Sequence, residues 1–132
     1  MHVLSPPTWA RPKGYANGIM AEGRMIFLAG LIGWDGNEKF HSDDMMGQMS
    51  QIFSNICALL KEAGAGPEHM VRMTWYVTDM EAYRNNLSEI GTLYRSILGK
   101  NFPVMTCVGV SNLVERQAKI EIEVTAILPY EE

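Results

Sequence analysis

The sequence predicts an α+β domain in the order β-β-α-β-α-β-β, a mixed sheet with two helices on one face. Three observations carry this. The 132 residues suit a single domain, 1–132, long enough to bury a core. Two stretches place apolar residues at steps of three and four, one from residue 45 and one from residue 83. Around them stand short β-rich runs, and the last, AKIEIEVTAIL, alternates residue by residue.

The Pro-rich start, SPPTWARPKG, is expected to be irregular. YANGIMAEGRMIFLAGLIG then reads as a hairpin. Residues 16–21 form one strand, Glu22-Gly23-Arg24 the turn, and residues 25–31 a second, more buried strand. The loop WDGNEKFHS follows, with Asp35-Gly36 as its turn. The first helix puts Met45, Met49, Ile52, Phe53, Ile56, Leu59, Leu60 and Ala63 on one face. Ser42, Asp43 and Asp44 are candidate caps, and Gly64 and Gly66 end the helix. Residues 70–77 are a strand. Thr78 to Glu81 fits a capping box that opens one second helix, with Tyr83, Leu87, Ile90, Tyr94 and Ile97 on one side and Gly99 as the stop. After Phe102-Pro103 comes a short strand, 106–110. In the last strand Ile120, Ile122 and Val124 face one way, and Glu121, Glu123 and Thr125 the other.

Each helix has one apolar stripe, so both are expected on one sheet face. Leu28, Ile32, Trp75, Val77 and Ile127 are assigned to the other face, which predicts an oligomer whose partner covers it.

The chain carries 15 acidic and 11 basic residues, a net charge of -4, and no basic stripe. Nucleic-acid binding would work against that field and is not expected. Cys57 and Cys107 stand far apart and form no CxxC pair, which reads as two reduced thiols in a cytoplasmic protein. No run reaches the ~20 apolar residues of a membrane span, and the N-terminus lacks a signal-length apolar segment. Gly14, Gly18, Gly30, Gly33 and Gly36 match neither phosphate-loop pattern, and no metal-ligand spacing occurs, so no cofactor and no metal are expected. The 10 Met suit a tolerant core or an adaptable pocket.

From Gly14 to Ile127 a series of pieces follows in order: KGYANG, IFLAG, NICALLKEAGAG, MVRMTWYVTDMEAY, FPxxTCVGVxxL and IEIEVTAI. Together they resemble the RidA/YjgF family, also labelled the L-PSP endoribonuclease family. The resemblance implies a chorismate-mutase-like subunit packed as a homotrimer, with a small-molecule cleft at each subunit boundary. It implies hydrolysis of 2-imino or 2-enamino acids to 2-keto acids and ammonia.

In such members an Arg two residues after the Pro grips the substrate carboxylate with a bidentate fork. Here that position is Met105. Tyr15 stands where a family Tyr lines the cleft. Gly30 stands where backbone approaches the ligand, Cys107 where a Cys lies near it, and Glu121 where a Glu positions the attacking water. An Asn of some members falls at or beside Leu87. Met105 with Leu31 would make the cleft apolar, suited to a larger, less charged or aromatic-like ligand. Arg11, Lys13, Arg72 and Arg84 are the candidates to replace the missing cation.

Each candidate has a plainer reading. Glu121 could be a solvated outer-face residue, as Glu123 is expected to be. Cys107 could be a buried thiol rather than a nucleophile. Tyr15 could be an aromatic plug, and Trp34 a loop anchor rather than a cap on the cleft. Three functions compete. They are an imine deaminase of altered substrate choice, a non-catalytic metabolite-binding or chaperone-like trimer, and an endoribonuclease. The acidic chain and the lack of paired His weigh against the last.

Overall fold

In the computed structural model, which describes residues 1–131, four short strands come first. They are β1 (His2–Leu4), β2 (Gly18–Met20), β3 (Arg24–Phe27) and β4 (Leu31–Ile32). Then follow α1 (Met45–Glu62), β5 (Met70–Val77), α2 (Met80–Arg84), α3 (Leu87–Leu98), β6 (Val104–Gly109) and β7 (Ile120–Leu128). The main sheet has the order β3-β7-β5-β6, with β4 also on β7. Only β5 and β6 are parallel, and they are the pair joined by a helical crossover.

The alternation of β7 sets the layers. Ile120, Ile122, Val124 and Ala126 are buried under the helices. The stripe of α1 meets them through Met49, Ile52, Phe53, Ile56 and Leu60, each fully buried. From α3 come Ile90, Tyr94 and Leu98. Leu59, expected on that stripe, is instead exposed. Among the described residues Gln48 is the one buried amide or charged side chain, and its hydrogen bonds are made. Its amide donates to the carbonyls of Ser42 and Gln117, at 3.1 and 2.9 Å, and accepts from the Lys119 N–H at 2.7 Å. That ties α1 to the start of β7.

Trp75 and Val77 belong to the helix-covered face, contrary to the sequence expectation. They pair with Ile122 and Ile120, and both are buried. The open face carries Thr74, Tyr76, Glu121, Glu123 and Thr125, with Met25 and Phe27 toward its edge. Phe27 is 69% exposed there.

The predicted hairpin does not form. β2 pairs with β1, so the start of the chain is not wholly irregular, and β3 pairs with β7. Gly23 explains the change of partner. With φ +146 it lies so close to the Leu128 carbonyl that a Cβ would collide, and the chain enters the sheet beside β7. The strand that follows is an edge strand, with Met25 and Phe27 exposed rather than buried. β3 and β4 are its two halves. Phe27 opposes Thr125 and Leu31 opposes Ile122, so four steps on one strand match three on the other. This is a β-bulge at residues 28–30.

The second helix is also divided. Asp79, not Thr78, is its cap, accepting from the Ala82 N–H at 3.1 Å. The Thr78 hydroxyl instead donates to the Lys119 carbonyl. The break falls at Asn85-Asn86, where the Asn86 side-chain amide donates to the Ala82 carbonyl at 2.7 Å.

Candidate functional site

A cavity of about 570 Å³ lies between α3 and the β5–β6 part of the sheet. Trp75, Met105 and Cys107 form its floor. Parallel pairing sets Met105 beside Met73 and Cys107 beside Trp75, so both point under the helix. Leu87, Ile90 and Tyr94 form the helical wall. Tyr15 arrives from the N-terminal segment. The Ala16 N–H donates to the Pro103 carbonyl at 3.1 Å, and Ala16 bridges Val104 in parallel, which lays that segment along β6.

The lining is largely aromatic. Tyr94 stacks on Phe102 at 5.5 Å between ring centroids, and Tyr83 meets Trp75 edge-on at 6.2 Å. The Tyr94 hydroxyl donates to the Asn101 carbonyl, which fixes its ring. The Trp75 indole N–H is buried without an acceptor among the described residues.

Burial pushes the Cys107 thiol up, and the Tyr83 hydroxyl beside it opposes this more weakly. Burial, with Cys107 second, raises Tyr83 as well. The thiol is therefore neutral near pH 7, and no His lines the cavity to activate it. Cys107 is a wall of the cavity, not a ready nucleophile.

Two cations reach the same space, Lys13 and Arg95. Lys13 was among the sequence candidates. Arg95 was missed, because only the packing of α3 over the sheet brings it to the cavity. The other candidates stand elsewhere. Arg72 lines a smaller cavity of about 200 Å³ that shares Met105 and Tyr15. Arg11 lines a third, which shares Gly14, Tyr15 and Phe102. Arg84 is paired with Glu81 at 2.5 Å.

Glu121, Gly30 and Leu31 do not line this cavity. Glu121 is on the open face, opposite Tyr76, while Met105 and Cys107 point through the other face, with β5 between. The bulge brings Gly30 against Glu121, where a Cβ would stand 2.6 Å from Oε2. The two glutamates of β7 differ. Glu123 accepts from the Tyr76 hydroxyl at 2.6 Å. The Glu121 carboxylate has no hydrogen-bond partner or ion pair among the described residues. Leu31 packs toward the core. Trp34 packs on Phe40 at 5.8 Å, and its carbonyl accepts from Asn55 at 2.8 Å, which makes it a loop anchor.

The candidate residues thus fall into two groups. Tyr15, Met105 and Cys107 share a cavity on one side of the sheet. Gly30 and Glu121 meet on the other. Among the described residues no cluster of His, Cys, Asp or Glu could hold a metal ion, and no helix is long and apolar enough to cross a membrane.

The comparisons agree along nearly the whole chain. The family model described as Endoribonuclease L-PSP matches residues 8–128. A RutC family protein of Aquifex aeolicus is 31% identical, over 96% of this chain and 99% of its own length. A 2-iminobutanoate/2-iminopropanoate deaminase of Salmonella typhimurium is 28% identical over 80% of each chain. The crystal structure of the Rid-family protein YyfB from Yersinia pestis, described as of unknown function, superposes with a TM-score of 0.81. It is 28% identical, with 96% of this chain and 98% of that one covered. The mixed α+β fold, the family model and these relatives converge: the chain belongs to the RidA/YjgF family, the family of the L-PSP endoribonuclease model.

Proposed function

We propose that the chain is an enamine/imine deaminase that works at a cleft between subunits of a homotrimer. The observation that carries this is the division of the site. The cavity of Tyr15, Met105 and Cys107 is lined by no carboxylate, and Glu121 is unpartnered on the opposite face. A neighbouring copy that covers the open face supplies its Glu121 and Gly30 to the cavity. The exposed Phe27 and Met25 favour such a cover. The Salmonella deaminase supports the reaction class.

The chemistry asks little of the protein. Water adds to the C=N carbon, and one water proton reaches nitrogen through the Glu121 carboxylate, giving a carbinolamine. The same carboxylate moves the hydroxyl proton to nitrogen. The C–N bond breaks, and ammonia leaves with a 2-keto acid. Tyr15 orients the substrate, and the backbone at Gly30 lets it approach Glu121.

Met105 and Leu87 remove polar anchors from the floor and the helical wall, which favours one second reading, a metabolite-binding trimer without turnover. An ammonia-release assay separates the two. An amino-acid oxidase supplies 2-imino acids in situ, and wild type is compared with Glu121→Gln. The deaminase reading expects release above the buffer rate, lost in the variant. Ligand-induced thermal shifts without any release would support the second reading.

A further inference from the structure

We infer that Arg95, aided by Lys13, is the carboxylate anchor of this site, and that the ligand is an organic acid with an aromatic body. The inference rests on the reading of the cavity as a ligand site. The cation is moved, not lost. The floor position that the resemblance assigns to a cation is Met105, which packs against the core. Arg95 instead rises from α3, one turn beyond Gly91. A Cβ at Gly91 would stand 3.1 Å from Arg95 Nη1, so the guanidinium lies back along the helix over the glycine, on the cavity wall. Arg95 has no ion-pair partner among the described residues. Lys13 approaches the same space from the N-terminal segment.

Moving the cation changes the ligand. A carboxylate on the α3 wall directs the rest of the molecule onto Met105, Trp75 and Tyr94. These offer aromatic faces and a polarizable thioether, with the Trp75 indole N–H as the one unpaired polar atom among them. A volume of about 570 Å³ falls within the range of pockets that hold drug-sized ligands. The aromatic body fills what a short chain would leave empty.

The test is calorimetric titration of the full-length protein with 3-phenylpropanoate, its neutral amide 3-phenylpropanamide, and propanoate. Wild type is compared with Arg95→Gln and with Arg84→Gln, a surface control outside the cavity. Wild type should bind the aromatic acid about tenfold more tightly than the amide, and propanoate much more weakly than either. Arg95→Gln should bring acid and amide to parity, while Arg84→Gln keeps the preference. Equal binding of acid and amide by wild type overturns the inference. So does an unchanged ratio in Arg95→Gln, binding of propanoate as tight as the aromatic acid, or no binding at all. Calorimetry reads binding without turnover. Acid preference without ammonia release therefore sinks the deaminase reading alone, and ammonia release without acid preference sinks this inference alone.

Discussion

The Glu121 carboxylate lies against the α-carbon of Gly30, so close that a Cβ at residue 30 would stand 2.6 Å from Oε2. The β-bulge at residues 28–30 makes this contact, and it leaves Glu121 pinned but unpartnered. Gly30→Ala should therefore displace the carboxylate, not unfold the chain, because the colliding atoms are the far end of a flexible side chain. The expected cost is at most about 1 kcal/mol of stability. Ammonia release should fall about tenfold or more, since a misplaced base loses its alignment. Glu123 is already held by Tyr76, so Glu123→Gln should leave the rate unchanged while Glu121→Gln abolishes it. Thermal unfolding and the release assay read the two effects separately.

Cys107 should behave as a wall. Its thiol is pushed above the ordinary 9.0 by burial. In a Cys57→Ser background, labelling by a thiol reagent should be slow near neutral pH, and its rate should still be rising with pH beyond that value. Cys107→Ser should retain most of the activity. Fast labelling at neutral pH would show an activated thiolate and contradict this assignment.

Asp35 holds the loop before α1. It accepts from the N–H groups of Asn37 and Lys39 at 2.8 and 3.1 Å and pairs with His41 at 2.7 Å. The His41 hydrogen bond is the main cause that lowers its pKa below the ordinary 3.8. The stability from a depressed carboxylate is present above its unfolded value and is lost as pH falls through the folded one. Asp35→Asn should lower the melting temperature at neutral pH. The gap from wild type should close as pH falls below 3.8.

Gln48 bears on stability rather than chemistry. Gln48→Ala strands the part-buried Lys119 N–H and frees two carbonyls from their shared donor. The expected loss is about 2–3 kcal/mol in denaturant unfolding.

Much of the fold was legible because its signals are local and periodic. The clean alternation of β7, the strand at residues 70–77 and the stripe of α1 stand where the sequence puts them. What sequence missed depended on long-range choices. A Gly-Arg turn between two apolar runs reads as a hairpin. Nothing local says that Gly23 will press on Leu128 and send β3 to β7. Trp75 and Val77 were assigned to the wrong face because the register of β5 is fixed by β7, not by its own composition. In the site, Tyr15, Met105 and Cys107 were legible together through a motif. Arg95 was not, since only the packing of α3 over the sheet brings it to the cavity. The opposite outlook of Glu121 and Cys107 needed the sheet order, which a motif does not carry.

The central claim is that Glu121 completes a cavity belonging to another subunit. Co-expressed mixtures of two inactive variants test it most directly, with ammonia release as the readout. Glu121→Gln keeps its cavity but lacks the proton carrier. Leu87→Trp fills the cavity from an exposed wall position and keeps its Glu121. Random assembly of equal amounts should regenerate about one quarter of the wild-type sites, each with an intact cavity from one variant and an intact Glu121 from the other. A mixture as inactive as its components, beside an active wild type, would contradict the shared site.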